Sequence, residues 1–452
     1  MNACIRIFAY FRGSAGGMRV LVVLGFLEAG MQVLYERCAA VDVGKDVIAV
    51  AVRLPGDGPD GRVCVKRKFT TFYGVLAEAA RWLMSLGVTH VAMEATGIYS
   101  MPVYHALLEH GDFERVLVCN AGHVKNVPGR KTDMADAEWL VQLLECGLLA
   151  GSFIPPADIK AARDVIRYRT KVVQQKTSEY QRLGNALQDA GIKIDSVASS
   201  ITTVSGRAMI ESLIDGERRP QVLADLARGR MRVKIPDLAL ALEGRFGDHH
   251  ALMCRLHLDH IDHLEAMIAK LDAQIEAMMA SFRAARELLT TIPGIGPLAA
   301  AAVISEAGAD IAAFFPDAAH LASWAGLCPG NHESAGRHRP GRRRKGSQHL
   351  QPVLVECAWA AVRHEGYLKS LYHRHVMKWG GYRSSAAKKK AIIVVAHAIL
   401  VIIWHVLATG KPYDDLGEDY FTRRADPARE QARLIARLEQ LSGKHVSLDE
   451  AA

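Results

Sequence analysis

No two of the eight cysteines stand close enough to form a CxxC pair. Cys4, Cys38, Cys64, Cys119, Cys146, Cys254, Cys328 and Cys357 are scattered singly along 452 residues. That spacing supports neither a zinc ribbon nor a dense disulfide framework. Single cysteines of this kind fit a reducing cytoplasm, most of them as small core residues. No HExxH pattern occurs, and no repeat of fixed period. Long hydrophobic runs are scarce as well. Val20–Leu27 behind Arg19 is weakly signal-like, but it is short and Glu28 interrupts it before a clear cleavage site. Ala391–Ala408, behind Lys388-Lys389-Lys390, reaches the length of a spanning helix. It holds His397 and His405 and stands alone, so a helix buried in a large domain is the better reading, and no membrane is expected as a partner.

What is present excludes disorder over the whole chain. Half of the residues are hydrophobic and 23% are charged, enough for two or three domains with a sizeable core. The net charge of +8 is modest, but all of it lies in one segment. Arg286–Lys390 holds 15 Lys+Arg against 7 Asp+Glu, and the remainder is balanced at 41 of each sign. A local surface for a polyanion follows.

Residues 1–30 lack clear periodicity, and Met31 opens the first well-patterned stretch, so 1–30 reads as an upstream extension ahead of a start at Met31. From about 36 to 150, strands and helices alternate. Ala39–Leu54 reads as a strand around Asp42, with Gly61–Thr70 its partner across Pro55-Gly56-Asp57-Gly58-Pro59. Phe72–Leu86 is helical, Thr89–Met93 is a strand ending at Glu94, Tyr99–Glu109 a helix, Arg115–Val118 a strand and Asp133–Leu144 a helix, which makes an α/β domain. Pro155-Pro156 ends it. Asp158 to about Ala190 is a long helix with Arg163, Arg167, Arg169, Lys171, Lys176 and Arg182. Leu252–Met279 is a second, with Leu256, Leu264, Ile268, Leu271 and Ile275 near heptad spacing. Two such helices around a mixed region predict a coiled-coil arm. From Leu288 onward the pattern is helical with Gly-rich interruptions.

The chemistry-bearing residues of the first domain are carboxylates. Asp42 lies inside an apolar strand, where a carboxylate is costly unless paired or metal-bound. Glu94 ends a second strand, and Asp133 and Asp136 stand three apart at a helix start, where both can face the same way. Four hard oxygen ligands converging from two strand ends and a helix would suit Mg²⁺ or Mn²⁺. Two ions about 4 Å apart could serve phosphodiester chemistry. Taken singly, Asp133 is better explained as a carboxylate favoured by a helix N-terminus, and Asp136 as a solvated first-turn acid.

The runs Val-Asp-Val-Gly-Lys around Asp42, Met-Glu-Ala-Thr-Gly-Ile-Tyr around Glu94, and Val-Pro-Gly-Arg-Lys-Thr-Asp-Met-Ala-Asp-Ala-Glu-Trp around Asp133 resemble the insertion-sequence-110 family of DEDD transposases. The resemblance implies a RuvC-like, RNase H-type domain with the acidic quartet Asp42, Glu94, Asp133 and Asp136 as its catalytic metal ligands. Arg130 and Lys131 would contact nucleic acid beside it. The sequence departs from the family at Gly44, where many relatives carry His, and at Met134-Ala135 in place of Val-Lys.

In the second half, Leu288–Ala299 reads as a helix-hairpin-helix turn whose Gly294 and Gly296 allow close backbone approach to a phosphate; a plain helix–helix turn fits the same pattern. Ser334 precedes a basic run, Arg337, Arg339, Arg342, Arg343, Arg344 and Lys345, six cations in nine positions. Such a run attracts backbone phosphates; as a bare pattern it is equally a solvated basic loop, and a loop serine is ordinarily structural. The resemblance, which extends over about 31 to 424, changes this: it places Ser334 on the family's nucleophilic serine. It implies a composite site in which Ser334 forms a phosphoserine link to DNA and Mg²⁺ on the quartet stabilises charge. It also implies target choice guided by an element-encoded RNA, a tetramer built from dimers, and a bacterial cytoplasmic protein associated with the nucleoid. His257, His260 and His263 have a spacing that could suggest zinc, but on a coil helix they read as polar-face residues.

The expected fold is therefore an α/β RNase H-like (RuvC-like) domain over 31–155, a helical, coiled-coil region with a mixed insert over 156–285, a mainly α-helical transposase domain over 286–378 and C-terminal helices over 379–452. The expected function is excision and integration of an insertion sequence, with DNA ends and target as partners. The alternatives are a RuvC-like nuclease using water, and a nucleic-acid-binding protein without catalysis.

Overall fold

The structure is a computed structural model, described over residues 33–58, 61–120, 133–329, 333–334, 336–338, 346–423 and 427–446. Met31 and the upstream extension, Arg130 and Lys131, and Arg339 and Arg342–Lys345 lie outside the described residues. The chain divides into two compact units, residues 1–154 and 155–452.

The first unit is a mixed five-stranded sheet in the order β3-β2-β1-β4-β5, where β1 is Cys38–Val43, β2 Val47–Pro55, β3 Arg62–Thr70, β4 His90–Glu94 and β5 Arg115–Cys119. The strand expected over Ala39–Leu54 is two strands. Gly44-Lys45-Asp46 turns the chain, and β2 returns antiparallel along β1 with Asp42 opposite Ala49. The turn is tight: Gly44 N–H donates to Val47 O at 3.1 Å, and a Cβ at Gly44 would stand 2.7 Å from that same oxygen. β1, β4 and β5 run parallel. This order and these directions are compatible with the RNase H-like expectation.

Strand alternation sorts the sheet into two unlike faces. Ala39, Val41, Val43, Ile48, Val50 and Val52 face a core closed by α1 (Tyr73–Ser85) and α2 (Ser100–His110). The other face is small: Cys38, Ala40, Ala49, Ala51 and Ala92 meet Ala137, Leu140, Val141 and Leu144 of α3 (Asp133–Glu145). Small side chains let this helix lie close to the sheet. Its far end is pinned by Glu145, a carboxylate 3% exposed. Arg53 Nε on β2 donates to it at 3.0 Å, Arg62 Nε on β3 donates to its other oxygen, and its backbone carbonyl accepts from the Leu34 and Tyr35 N–H groups.

The second unit opens with α4 (Ala157–Asp189) and, after the smaller helices α5 (Val204–Ile214), α6 (Pro220–Ala224) and α7 (Ile235–Ala241), returns along α8 (Asp248–Met278). The two long helices pack antiparallel: Asp189 meets His250, Glu179 meets His257, Lys176 meets Glu265 and Arg169 meets Asp272. At the turn-round end, Leu183, Leu187, Leu258 and Ile261 join Met209, Ile210, Leu223 and Leu238 in one core. The apolar stripe of α8 is Cys254, Leu258, Ile261, Leu264 and Ile275. Leu256, read from the sequence as a seam residue, is 54% exposed. The middle of the seam is polar, built from buried Glu179 with His257, His260 and Arg182 around it.

The rest is mainly helical, with one two-stranded pairing of Glu333–Ser334 and Arg337–His338; its main helices are α9 (Arg283–Thr290), α10 (Pro297–Ala307), α11 (Ala318–Ala325), α12 (Leu350–Ala361), α13 (Tyr367–Lys378), α14 (Ser385–Thr409) and α15 (Pro427–Ser442). Among the described residues two helical stretches, Pro297–Phe314 and Ser385–Thr409, are long and apolar enough by length and composition to cross a membrane. α14, which contains Ala391–Ala408, is packed by α9, α11, α12 and α13, burying among others Ile392, Val395, Ile399, Leu400 and Ile403. Trp404 Nε1 donates to Phe315 O at 2.9 Å.

Two expected outcomes follow from these buried charges. Glu145→Ala leaves two largely buried guanidinium groups facing each other and lowers unfolding free energy by about 3 kcal/mol. Urea unfolding checks this, and a loss below about 1 kcal/mol contradicts it. For Glu179, burial alone would raise the carboxyl pKa; the His257 hydrogen bond and the Arg182 charge outweigh it and hold the group below the usual carboxylate range. A depressed pKa gives stability that is present above the ordinary value of about 4.3 and lost as pH falls through the folded value. Glu179→Gln should therefore flatten the acid limb of a melting-temperature profile below about pH 4.5; an unchanged acid limb counts against that role.

Candidate active site

The parallel pairing of β1 and β4 sets Val41 opposite Met93. Asp42 and Glu94 are each the next residue, so they stand side by side at the C-terminal ends of neighbouring strands. Alternation gives them the parity of Ala40 and Ala92, the face covered by α3. Both are half-buried. Glu94 pairs with Cys119 in the β4–β5 register, and burial, then the Glu94 charge, push the Cys119 thiol up to about 11.

The direction of α3 decides where its aspartates lie. Its last residue, Glu145, adjoins the start of β1: burial, then the Glu145 charge, push the Cys38 thiol up to about 12. Cys38 Sγ also contacts Val141 O at 4.0 Å. The helix therefore runs antiparallel to β1, and its first turn lies toward the end that carries Asp42. The lengths agree. Cys38 to Asp42 spans about 13 Å of strand at about 3.3 Å per residue. About nine helical residues at about 1.5 Å each match it, which leads from Glu145 back to Asp136. Asp133 opens α3, and Asp136, one turn on, is exposed, just before the fully buried Ala137. Lys66 Nζ on β3 adds a 2.6 Å ion pair to Glu138 of the same helix. Three elements thus bring the four acidic residues to one end of one sheet face.

In the second unit Ser334 lies in a two-residue strand, Glu333–Ser334, paired antiparallel with Arg337–His338 so that Ser334 and Arg337 are opposite. Arg337 is exposed. The Leu288–Ala299 turn connects α9 to α10. Its glycines differ in kind. Gly294 has φ +86°, and a Cβ there would stand 2.2 Å from Cys357 O and 2.6 Å from Ala361 N, so its backbone packs against α12. Gly296 is exposed, precedes the first turn of α10, and has nothing within 4 Å of a built Cβ.

Two family models match this chain in order. A transposase model of the DEDD, IS110 type covers residues 39–192, and a model described as Transposase IS116/IS110/IS902 family covers residues 286–373. The chain belongs to the IS110 family of DEDD transposases. A Pseudomonas aeruginosa protein named "Probable family 20 transposase" is 26% identical to this IS110-family chain over 52% of its length and 61% of its own. The Sinorhizobium fredii protein y4pF/y4sB is 25% identical over 63% of this chain and 64% of its own length. The "Insertion element IS110 uncharacterized 43.6 kDa protein" of Streptomyces coelicolor is 28% identical over 32% of this chain and 34% of its own length. The matched part spans about three fifths of the first two of these relatives.

Several residues of this IS110-family chain do other work than their pattern suggested. Of the seven cations on the basic helix α4, six carry carboxylate partners, Lys160 through Asp164 one turn on. Arg167 holds Glu306 through two hydrogen bonds of 2.7 and 2.8 Å, and Arg163 donates to the Ser305 and Glu306 carbonyls. Arg169 pairs with Asp272, Lys176 with Glu265 and Arg182 with Glu179. Most of the charge on this helix joins it to other helices. His257 and His260 surround Glu179, and His263 is exposed. Asp189, His249 and His250 form a group whose ligand atoms lie within 4.8 Å of one another. His250 Nδ1 accepts the Gly247 N–H at 3.1 Å, which leaves its proton on Nε2, 3.0 Å from Asp189. Both nitrogens of His250 thus serve the start of α8. Asp189 was missed in the sequence because it stands 61 residues from His250. The Arg53–Glu145–Arg62 set that places α3 was missed for the same reason.

The two glycines yield opposite expectations. Gly294→Ala combines a left-handed backbone with a backbone collision and costs about 2 kcal/mol or more. Gly296→Ala stays within about 1 kcal/mol. Urea unfolding of both variants tests the assignment, and equal losses refute it.

Proposed function

We propose that this chain is the DNA transposase/recombinase of an insertion sequence, excising and integrating the element by metal-assisted phosphodiester exchange with Ser334 as nucleophile. The observation that carries the reading is the lie of α3 on the sheet, which sets the Asp133–Asp136 turn level with the Asp42 and Glu94 strand ends. On this reading residues 31–155 are the RuvC-like domain, 156–285 the helical region, 286–378 the transposase domain with the helix-hairpin-helix turn, and 379–452 the C-terminal helices.

Asp42, Glu94, Asp133 and Asp136 would hold Mg²⁺, with Mn²⁺ as the substitute. Oxygen-only donors gathered at a sheet end fit a hard divalent cation, and no soft ligand is needed. When bound, the metal supplies positive charge to the scissile phosphate and to the leaving oxygen. Ser334 Oγ loses its proton as it attacks phosphorus; the Oγ–P bond forms, the bond from phosphorus to a deoxyribose oxygen breaks, and that oxygen leaves protonated as a hydroxyl. Attack by a hydroxyl of another strand reverses the step, breaks the Oγ–P bond and frees the serine. The phosphoserine link conserves the bond, so resealing needs no ATP.

Arg337, opposite Ser334, and the run Arg339, Arg342, Arg343, Arg344 and Lys345 would hold phosphates beside the serine; Arg130, Lys131 and the Gly294-Ile295-Gly296 turn would add backbone contacts. Element ends and target DNA are the substrates, and an element-encoded guide RNA would choose the target by base pairing. Two duplexes must be cut and joined, which calls for several active sites and hence for an oligomer, a tetramer with the α4–α8 pair as its coiled-coil contact.

Ser334→Ala should abolish a denaturant-resistant protein–DNA adduct. Asp42→Asn and Glu94→Gln should lower strand cleavage at least about 100-fold in Mg²⁺. An adduct that survives Ser334→Ala overturns the nucleophile. Intact cleavage without an adduct instead identifies a nuclease that uses water.

A further inference from the structure

Beyond residue 373, where the second family match ends, the turn from α13 to α14 carries a surface that the reaction above does not use. Residues 374–390 contain Arg374, Lys378, Arg383, Lys388, Lys389 and Lys390 and no Asp or Glu. None of the six has a carboxylate partner among the described residues. On α4 cations are matched to carboxylates; here Arg374 lies over the Phe421 ring at 4.8 Å and the other five are left to solvent. All but the half-buried Lys388 are exposed.

Two aromatic rings lie among them. Trp379 is 36% exposed and Tyr382 47%. Gly380 and Gly381, at φ +119° and +76°, make the turn that separates them. Each ring is steadied by neighbours on α13. Trp379 packs on His375 at 4.9 Å between centroids; Tyr382 meets Tyr372 edge-on at 6.2 Å, and its hydroxyl lies 3.1 Å from His373 Nδ1. Ser384 accepts the Ala387 N–H at 3.2 Å and caps α14, which sets Lys388–Lys390 in that helix's opening turns.

Exposed rings interleaved with unpaired cations suit one ligand chemistry. A base stacks on a ring only when its own face is open, and the cations track phosphates on either side. A duplex hides its base faces in the stack and would use the cations alone. A lipid surface would need a cluster of apolar anchors; Met377 is a single exposed aliphatic side chain here, and the neighbouring Ala387, Ala391 and Ile392 of α14 are buried. We propose that the α13–α14 turn binds an unpaired stretch of nucleic acid, stacking bases on Trp379 and Tyr382 and holding phosphates with Lys378, Arg383, Lys389 and Lys390. The inference rests on the reading that this chain handles nucleic acid and names a partner state for it: a strand that is open, whether DNA or RNA.

The test is fluorescence anisotropy on the full chain with oligo-dT and oligo-rU of about twenty nucleotides and a blunt duplex of equal length. Trp379→Ala/Tyr382→Ala should weaken single-strand binding about tenfold or more and leave duplex binding within about twofold. Trp379→Phe/Tyr382→Phe keeps both π faces and should hold binding within about threefold. Lys389→Gln/Lys390→Gln should lower the salt slope for single strands by about 1.4. The tighter of the two oligonucleotides identifies the strand as DNA or RNA. Photo-crosslinking of the unaltered chain to a thio-substituted oligonucleotide should map to residues 374–390 and requires no variant to fold. Unchanged single-strand affinity in the alanine pair, an equal loss on duplex, crosslinks only elsewhere, or loss of anionic-vesicle binding in place of oligonucleotide binding each overturns the proposal. These readouts are binding alone, so their failure leaves the Ser334 adduct assay standing, and failure of that assay leaves them standing.

Discussion

The first unit depends on one helix lying close to a sheet in one direction. α3 can approach because five of the residues beneath it are Cys38, Ala40, Ala49, Ala51 and Ala92. Bulkier side chains would hold it off, as the valines and isoleucine of the opposite face do with α1 and α2. Its direction is set at the far end, where Glu145 is held between Arg53 and Arg62. Dispersion and apolar burial are indifferent to which way the helix runs, since the stripe Ala137, Leu140, Val141 and Leu144 would bury area either way. A buried carboxylate is not indifferent: it must meet its two cations. The ion pairs therefore work as a register device more than as a source of stability. The acidic first turn reaches the strand ends as a consequence.

That division of labour explains what could be read from the sequence. β4 ends at Glu94 and β5 forms as expected, because short apolar runs bounded by polar turns leave little choice. The single strand expected over Ala39–Leu54 fails at Gly44. Val47 and Ile48 continue the apolar run past the turn, so hydrophobicity alone shows no break there. The signal that could have found it is local: Gly44-Lys45-Asp46 has turn composition. That Asp42 and Glu94 lie on strands and Asp133 and Asp136 at a helix start was legible, while the orientation of α3 was not. It rests on pairs between Glu145 and residues 83 and 92 positions away.

The long helices show the same limit from the other side. α4 reads as a basic helix, and basic helices suggest polyanions. Arg167 finds Glu306 at a separation of 139 residues and Arg169 finds Asp272 at 103. No window along the chain contains both partners. Heptad spacing on α8 is similarly incomplete, because α4 answers its seam with Glu179, a residue whose burial is unexpected until His257 and His260 are placed around it. The polar seam fixes the relative position of the two helices at points where leucines would tolerate a slip.

Net charge, then, says little about where a polyanion would bind; unmatched charge says more. α4 is rich in cations and nearly all of them are spent within the fold. The segment from Arg286 to Lys390 carries the whole excess, and within it Arg374–Lys390 has cations without carboxylate partners among the described residues. Leaving like charges together costs free energy through mutual repulsion, modest at the surface and screened by salt. A partner of opposite sign removes that cost on binding, and two half-exposed rings among the cations narrow the partner to one with open π faces.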